Sequence, residues 1–200
     1  MSSIQEFNII TVGDTGVGKT AILNQYVYKI FNESTLSTTG ITFSKKKIEM
    51  KDGKEINLKL IDTSGQEKYH SLGKTYFKNA DGVFFVFSFD SHKSFDNVQA
   101  WIKSFNDNVN QNNTFPKLLL GNKDDLEEKV ITQEEIDEFA KKNEIKFLST
   151  SAKNHESVEK AFKEISEMIY DNYLKGDQKD SKQKKVKLMS NDKKNNCCAC

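Results

Sequence analysis

The stretch Gly13-Asp-Thr-Gly-Val-Gly-Lys-Thr20 constrains the fold of this chain more than any other. It fits the pattern G-x-x-x-x-G-K-[ST], in which glycines let backbone N–H groups wrap around phosphate oxygens. An apolar run at residues 7–12 precedes it and a helical pattern follows it. Strand, loop and helix in that order form the context that this motif requires, so we prefer a phosphate-binding loop to a chance glycine-rich turn.

We call residues 13–20 the P-loop and predict that they bind a nucleotide. The start of the following helix adds a dipole that favours a phosphate. Lys19 would reach the β- and γ-phosphates, and the hydroxyl of Thr20 would ligate Mg²⁺. The other residues predicted to surround the phosphates are Asp14, Thr15, Gly16, Val17 and Gly18.

A second stretch with candidate chemistry is Asp62-Thr-Ser-Gly-Gln66, which directly follows a strand-like run. The carboxylate of Asp62 can hold Mg²⁺ through water, and Gly65 lets its backbone N–H approach a γ-phosphate. Gln66 can orient an attacking water. Taken alone, this stretch is better interpreted as a plain strand-to-loop turn.

The third and fourth stretches are Gly121-Asn-Lys-Asp124 and Ser151-Ala-Lys153. We predict that the Asp124 carboxylate accepts hydrogen bonds from N1–H and the 2-amino group of guanine, donors that adenine lacks at these positions. A buried carboxylate left unpaired is costly, so this contact discriminates strongly between bases. We also predict that Asn122 supports the guanine edge and that the stem of Lys123 covers the ring. The Ala152 N–H would donate to guanine O6. Its neighbours Ser151 and Lys153 are predicted to bind the nucleotide too.

The hydrophobic patterns predict an α/β fold with a mostly parallel sheet. Continuously apolar runs at residues 83–89 and 117–120 suit parallel strands that are covered on both faces. Lys51-Asp-Gly-Lys54 lies between two strand-like runs, residues 41–50 and 55–61, and predicts an antiparallel hairpin. Helical periodicity appears in three places, around Trp101, around Phe139 and around Phe162.

Charge and hydrophobicity divide the chain at residue 174. Residues 175–200 hold eight lysines and three aspartates, a charge of +5, which leaves −4 for the rest of a chain with net charge +1. Few large apolar residues follow Leu174, so we predict one domain over residues 1–174 and a disordered basic tail over 175–200. The near-neutral total argues against nucleic acid as a partner.

The four stretches together resemble the small Ras-like GTPases over roughly residues 5–174. This resemblance implies a six-stranded sheet with about five helices, binding of Mg²⁺ with GTP or GDP, and GTP hydrolysis. It also implies two further contacts: Thr38, eighteen positions after Thr20, as a catalytic residue and Mg²⁺ ligand, and Phe31, eleven positions after Thr20, packed on guanine.

Within that superfamily, Ser37-Thr-Thr-Gly-Ile-Thr-Phe43 resembles the Rab pattern S-T-[IV]-G-[IV]-D-F. The chain departs from it at Thr39 and Thr42, and at Ile61, where Rabs carry a Trp that joins Phe43 and Tyr76 in an effector-facing cluster. The Rab resemblance implies a monomeric switch that regulates vesicle traffic. Its implied partners are an exchange factor, a GTPase-activating protein, a GDP-dissociation inhibitor and effectors.

Three alternatives to a Rab are open. The first is a Ras-like signalling GTPase of another subfamily. The second is a nucleotide-locked module without turnover, against which Gln66 argues. The third is a P-loop kinase acting on a metabolite. Such kinases rely on cationic lid residues, often Arg, and this chain contains no arginine.

All three cysteines lie at the C-terminus, and Cys198-Ala-Cys200 resembles the Rab C-x-C ending that carries two geranylgeranyl groups. Two lipids give stable anchoring where one gives only marginal binding. We therefore expect the protein to be anchored on the cytoplasmic face of an endomembrane and to cycle through the cytosol. A C-a-a-X reading of Cys197-Cys-Ala-Cys200 is the alternative.

The absence of arginine also predicts slow intrinsic hydrolysis. A guanidinium stabilises the charge of the phosphoryl-transfer transition state, and neither Lys19 nor Mg²⁺ supplies such a forked donor. We expect dependence on an activating protein that inserts its own Arg.

Overall fold

The computed structural model describes residues 4–33, 38, 40–63, 76–109 and 115–195, with side chains up to residue 176. Its centre is a six-stranded sheet in the order β2-β3-β1-β4-β5-β6. The strands are β1 Gln5–Val12, β2 Ile41–Glu49, β3 Glu55–Thr63, β4 Gly82–Ser88, β5 Lys117–Asn122 and β6 Lys146–Ser149. The β2–β3 pair is antiparallel and every other pair is parallel, which confirms the predicted fold class.

The apolar runs form strands for the predicted reason. All seven residues of β4 are buried, because layers cover both faces of the sheet. The hairpin predicted at Lys51-Asp-Gly-Lys54 is also confirmed. The Met50 N–H donates to the Lys54 carbonyl over 2.8 Å, and Gly53 takes a φ of 78°, which glycine adopts without strain.

The described residues form five helices. They are α1 Lys19–Tyr28, α2 His92–Asp96, α3 Val98–Asn106, α4 Gln133–Lys142 and α5 His155–Asn195. The periodic segment around Trp101, predicted as one helix, is divided at Asn97 into α2 and α3. The Ser91 side chain accepts from the Ser94 N–H at the start of α2, and Thr132 with Glu135 forms a capping box at the start of α4.

One hydrophobic core lies on each face of the sheet. The first packs α1 and α5 together, and the Tyr26 ring stacks on Phe162 with centroids 3.7 Å apart. The second lies under α2, α3 and α4 and includes Trp101, which is 7% exposed. Trp101 is thus a core residue, as its place in the helical periodicity indicates.

The last helix runs without a break past the predicted boundary at residue 174, as far as Asn195. The division into residues 1–174 and 175–200, and the disorder of the tail, therefore stay predictions. No described helix has the length and apolar character needed to cross a membrane.

The strand order places the functional loops together. Strand β1 pairs with β3 on one side and β4 on the other, so the chain changes direction across the sheet at this point. Ligands of open parallel sheets bind beyond the carboxyl ends of strands at such a switch point. The P-loop follows β1 there, and strands β3, β5 and β6 end at the same edge.

Candidate functional site

A cavity of about 290 Å³ opens at this edge of the sheet. Most of the predicted nucleotide-binding residues line it: Thr15, Gly16, Gly18, Lys19, Thr20, Phe31, Thr38, Asn122, Lys123, Ala152 and Lys153. Residues of the P-loop, of the segment after α1, and of the loops after β5 and β6 thus share one wall.

The P-loop needs its glycines. Gly16 and Gly18 have φ of 83° and 93°, a backbone conformation that other residues rarely adopt. A Cβ at Gly18 would lie 2.2 Å from Nδ2 of Asn122, and one at Gly13 would lie 2.1 Å from the Val86 carbonyl oxygen. The loop therefore sits directly against β4 and against the loop that follows β5.

Among the lysines that line the cavity, Lys19 is the buried one. Its ammonium group donates to the carbonyls of Gly13 and Asp14, both over 2.8 Å. Burial lowers the pKa of Lys19 to about 8, although the carboxylates of Asp62 and Asp14 act in the opposite direction. A phosphate here would supply the negative charge that this buried ammonium lacks.

Three oxygen-bearing side chains meet beside Lys19. The Thr20 hydroxyl donates to Oδ2 of Asp62 over 2.6 Å and lies 2.6 Å from the Thr38 hydroxyl. Oδ1 of Asp62 is buried and has no hydrogen-bond partner among the described residues. Burial raises the pKa of the Asp62 carboxyl, against the opposing effects of Thr20 and Lys19. These hard oxygen donors, with one carboxylate oxygen unsatisfied, fit a Mg²⁺ ion.

Asn122 connects three loops. Its amide Nδ2 donates to the Val17 carbonyl over 2.7 Å, and its Oδ1 accepts from the Ala152 N–H over 3.1 Å. The side chain is 1% exposed. The N–H predicted to contact guanine O6 is therefore occupied by Asn122 in this structure. Val17 takes part through its carbonyl and does not line the cavity.

The structure places Asp125, and not the predicted Asp124, at the cavity. Asp125 lines it and accepts a hydrogen bond from the Ser151 hydroxyl over 2.6 Å. Asp124 is absent from the lining, and its carboxylate pairs with Lys129 over 2.6 Å. The motif spacing, Asn-Lys-any-Asp, already identified Asp125, because Asp124 occupies the variable position.

Lys153 closes one rim of the cavity. Its ammonium group lies 3.3 Å from Asp125, 3.4 Å from Glu33 and 5.7 Å from the centre of the Phe31 ring. Lys123 on the neighbouring loop pairs with Asp90 over 2.8 Å. Glu33 was not identified from the sequence, where no motif contains it. These contacts bring the predicted Phe31 and Lys153 to one rim.

Some predicted residues lie elsewhere. Asp14 and Ser151 do not line the cavity, although Ser151 holds Asp125 and Asp14 contributes its carbonyl to Lys19. Gly65, Gln66, Thr39 and both predicted lipid-carrying cysteines, Cys198 and Cys200, lie outside the described residues.

Two aromatic rings lie beside Ile61, a position at which the sequence departs from the expected pattern. Phe43 lies opposite Ile61 across the β2–β3 ladder, and its ring centre is 5.4 Å from that of Tyr76. Ile61 is buried in the second core, whereas Phe43 remains 46% exposed. Replacing Trp by Ile at this position thus removes an aromatic ring from this face.

Comparison with known proteins identifies related chains. The Ras family model matches residues 8–171. Rab-10 of Diplobatis ommata is 37% identical over 164 residues, which cover 82% of this chain and 80% of the relative. Rab-11B of Dictyostelium discoideum is 39% identical over 163 residues, covering 81% and 73%. Rab-13 of Mesocricetus auratus is 37% identical over 164 residues, covering 82% and 79%.

The two bonds of Asn122 lead to a stability prediction. Asn122→Ala leaves the Val17 carbonyl and the Ala152 N–H without their partner, so we expect the free energy of unfolding to fall by about 2–4 kcal/mol. Asn108→Ala is the matched control, because its amide makes one bond, to the Ser104 carbonyl, in a less buried place. Urea unfolding followed by circular dichroism measures both. Equal losses in the two variants would contradict the role given to Asn122.

Proposed function

This chain belongs to the Rab branch of the Ras family of small GTPases, which hydrolyse GTP in membrane traffic, and from that premise we propose that the cavity described above is its guanine-nucleotide site. The observation that carries the proposal is the meeting of Lys19, Asn122 and Asp125 in one cavity. These residues match a phosphate at one end and a guanine base at the other. The spacing between them is set by Asn122, which contacts both ends.

The phosphate end would hold the nucleotide by charge. Lys19, already desolvated, donates to two backbone carbonyls, and its third N–H would donate to a phosphate oxygen. Thr20, Thr38 and Asp62 would hold Mg²⁺, which neutralises charge on the phosphates. Gln66 is proposed to orient the attacking water, and Gly65 to contact the γ-phosphate.

The base end would read guanine through Asp125. Burial alone would raise the pKa of this carboxyl, yet hydrogen bonds from Ser151 and Lys153 hold it below its ordinary value. The group is therefore ionised at neutral pH and can accept from both N1–H and the 2-amino group of guanine. Phe31 and the stem of Lys123 would cover the faces of the ring.

The switch would follow from the nucleotide. In the GTP state, the γ-phosphate and Mg²⁺ would hold Thr38 and Gly65 and order the segments that carry them. Hydrolysis would release both residues. Thr38 already contacts Thr20 over 2.6 Å, so the Mg²⁺ ligands need little rearrangement to form the GTP state. Effectors would read the ordered segments beside Phe43 and Tyr76.

The chain would need help with hydrolysis. Lysine is its only strongly basic residue type, and a point charge replaces only part of what a guanidinium donates to the transition state. We propose slow intrinsic turnover and a GTPase-activating protein that supplies Arg, together with an exchange factor that reopens the cavity.

Membrane attachment is proposed to use the two thiols of Cys198-Ala-Cys200. Each geranylgeranyl chain adds about 0.8 kcal/mol per buried CH₂, so the second chain makes binding stable. The +5 charge of residues 175–200 would attract anionic lipid on a cytoplasmic leaflet. A GDP-dissociation inhibitor would cover both lipids while the protein passes through the cytosol.

The base contact is tested by exchanging one aspartate at a time. An amide at position 125 suits the 2-oxo group of xanthine, so Asp125→Asn should lower the affinity for GTP by about 10³-fold or more and favour XTP. The control, Asp124→Asn, removes only the pairing with Lys129 and should change GTP affinity less than about threefold. Competition binding with GTP and XTP measures both. A preference that shifts in Asp124→Asn alone would refute the assignment.

Single-turnover hydrolysis tests the need for arginine. We expect a slow rate alone and an acceleration of roughly 10³ to 10⁵ with a Rab-directed activating domain. The same domain with its catalytic Arg changed to Ala is the control and should lose most of the effect. A fast intrinsic rate would contradict the proposal. A slow rate that no activating domain raises would favour the nucleotide-locked module.

Attachment is tested by fractionating cells that express single cysteine variants. Cys198→Ser or Cys200→Ser should each move most of the protein to the cytosol, because one remaining lipid binds weakly. Cys197→Ser is the matched control and should stay on the membrane. The opposite pattern, with release only in Cys197→Ser, would establish C-a-a-X processing instead.

A further inference from the structure

The carboxylate of Asp14 is tied to the α2–α3 junction and not to the cavity. One oxygen, Oδ2, accepts from the Asn97 amide over 2.6 Å, and the other, Oδ1, accepts from the Trp101 indole N–H over 2.8 Å. Both donors lie more than 80 residues from Asp14 in the sequence. Each carboxylate oxygen thus has its own donor, and both donors lie far from the P-loop in the sequence.

The two donors lie on the same side of one helical turn. Asn97 lies between α2 and α3, and the backbone N–H of Trp101 donates to the Asn97 carbonyl over 3.1 Å, so the two residues are one turn apart. The Trp101 ring is packed in the second core. Because the indole N–H at the edge of this core ring donates to Asp14, the ring fixes the position of the P-loop.

Asp14 passes this restraint to the phosphate end of the cavity. Its carbonyl accepts from Lys19 over 2.8 Å, while its carboxylate is held by Asn97 and Trp101. One residue therefore connects the second core with the P-loop lysine. A carboxylate free to turn toward the phosphates would repel them, and two donors keep its charge away.

We propose that Asn97 and Trp101 are positioning residues for the P-loop, which act through Asp14 to hold the loop in its phosphate-binding shape and to keep a negative charge out of the cavity. The inference rests on the proposed nucleotide site. It gives α3 a role in nucleotide retention, although no α3 residue lines the cavity.

A double-mutant cycle tests the inference. Trp101→Phe keeps an aromatic ring in the core and removes the indole N–H, and Asp14→Ala removes the acceptor. With fluorescently labelled GDP, Trp101→Phe should speed dissociation by about tenfold, the size expected for losing one hydrogen bond to a charged group. In the Asp14→Ala background the same change should have less than about a twofold effect. Equal factors in both backgrounds would show packing alone and overturn the proposal.

Two further measurements separate this role from stability. Phe105→Leu, a buried change on the same helix, should lower the thermal midpoint without changing the GDP dissociation rate. Trp101 is the only tryptophan in the sequence, so Asp14→Ala should shift its emission spectrum while Phe105→Leu leaves it unchanged. An emission spectrum unaffected by Asp14→Ala would count against the bond.

Different results would refute this inference and the proposed function. If Asp125→Asn leaves guanine preference unchanged, the nucleotide site itself is wrong. If Asp125→Asn behaves as expected and the Asp14–Trp101 cycle is additive, only the positioning role is refuted.

Discussion

The two hydrogen bonds of the Asn122 side chain are the interaction on which the cleft depends. They join the loop after β1, the loop after β5 and the loop after β6, and the side chain that makes them is almost wholly buried. Buried polar groups with fixed partners allow few alternative arrangements. The proposed phosphate end and base end are thereby joined through one side chain without any ligand.

Near Asn122, the fold buries charges that it does not fully compensate. Lys19 is desolvated enough to lower its pKa, and Asp62 is desolvated enough to raise its own. Burying an unpaired charge lowers the stability of the folded state. A ligand that supplies the missing partner binds the folded state and raises its stability again. The cavity is therefore a part of the domain in which buried charges lack full compensation. A protein built this way is more stable with its ligand than without it.

Much of this arrangement could be predicted from the sequence. The apolar runs of β4 and β5 and the Asp-Gly turn between β2 and β3 are local signals with single physical causes. The break at Asn97 was missed because apolar periodicity continues through it. Strand β6 gave no comparable signal, since its four residues are only half-buried or exposed. Asp125 was missed although the spacing Asn-Lys-any-Asp points to it and not to Asp124. The bond from Ser151 to Asp125 and the pairing of Asp124 with Lys129 agree with that spacing.

The stacking of Tyr26 on Phe162 has a consequence for how the protein is made. Helix α1, which carries Lys19 and Thr20, rests on α5, a helix that begins more than 120 residues later in the chain. Contacts between such distant segments form late, because the intervening chain must exist and close first. A nascent chain emerging from the ribosome would contain the complete P-loop long before α5 supports α1. Nucleotide capture would then follow the synthesis of α5.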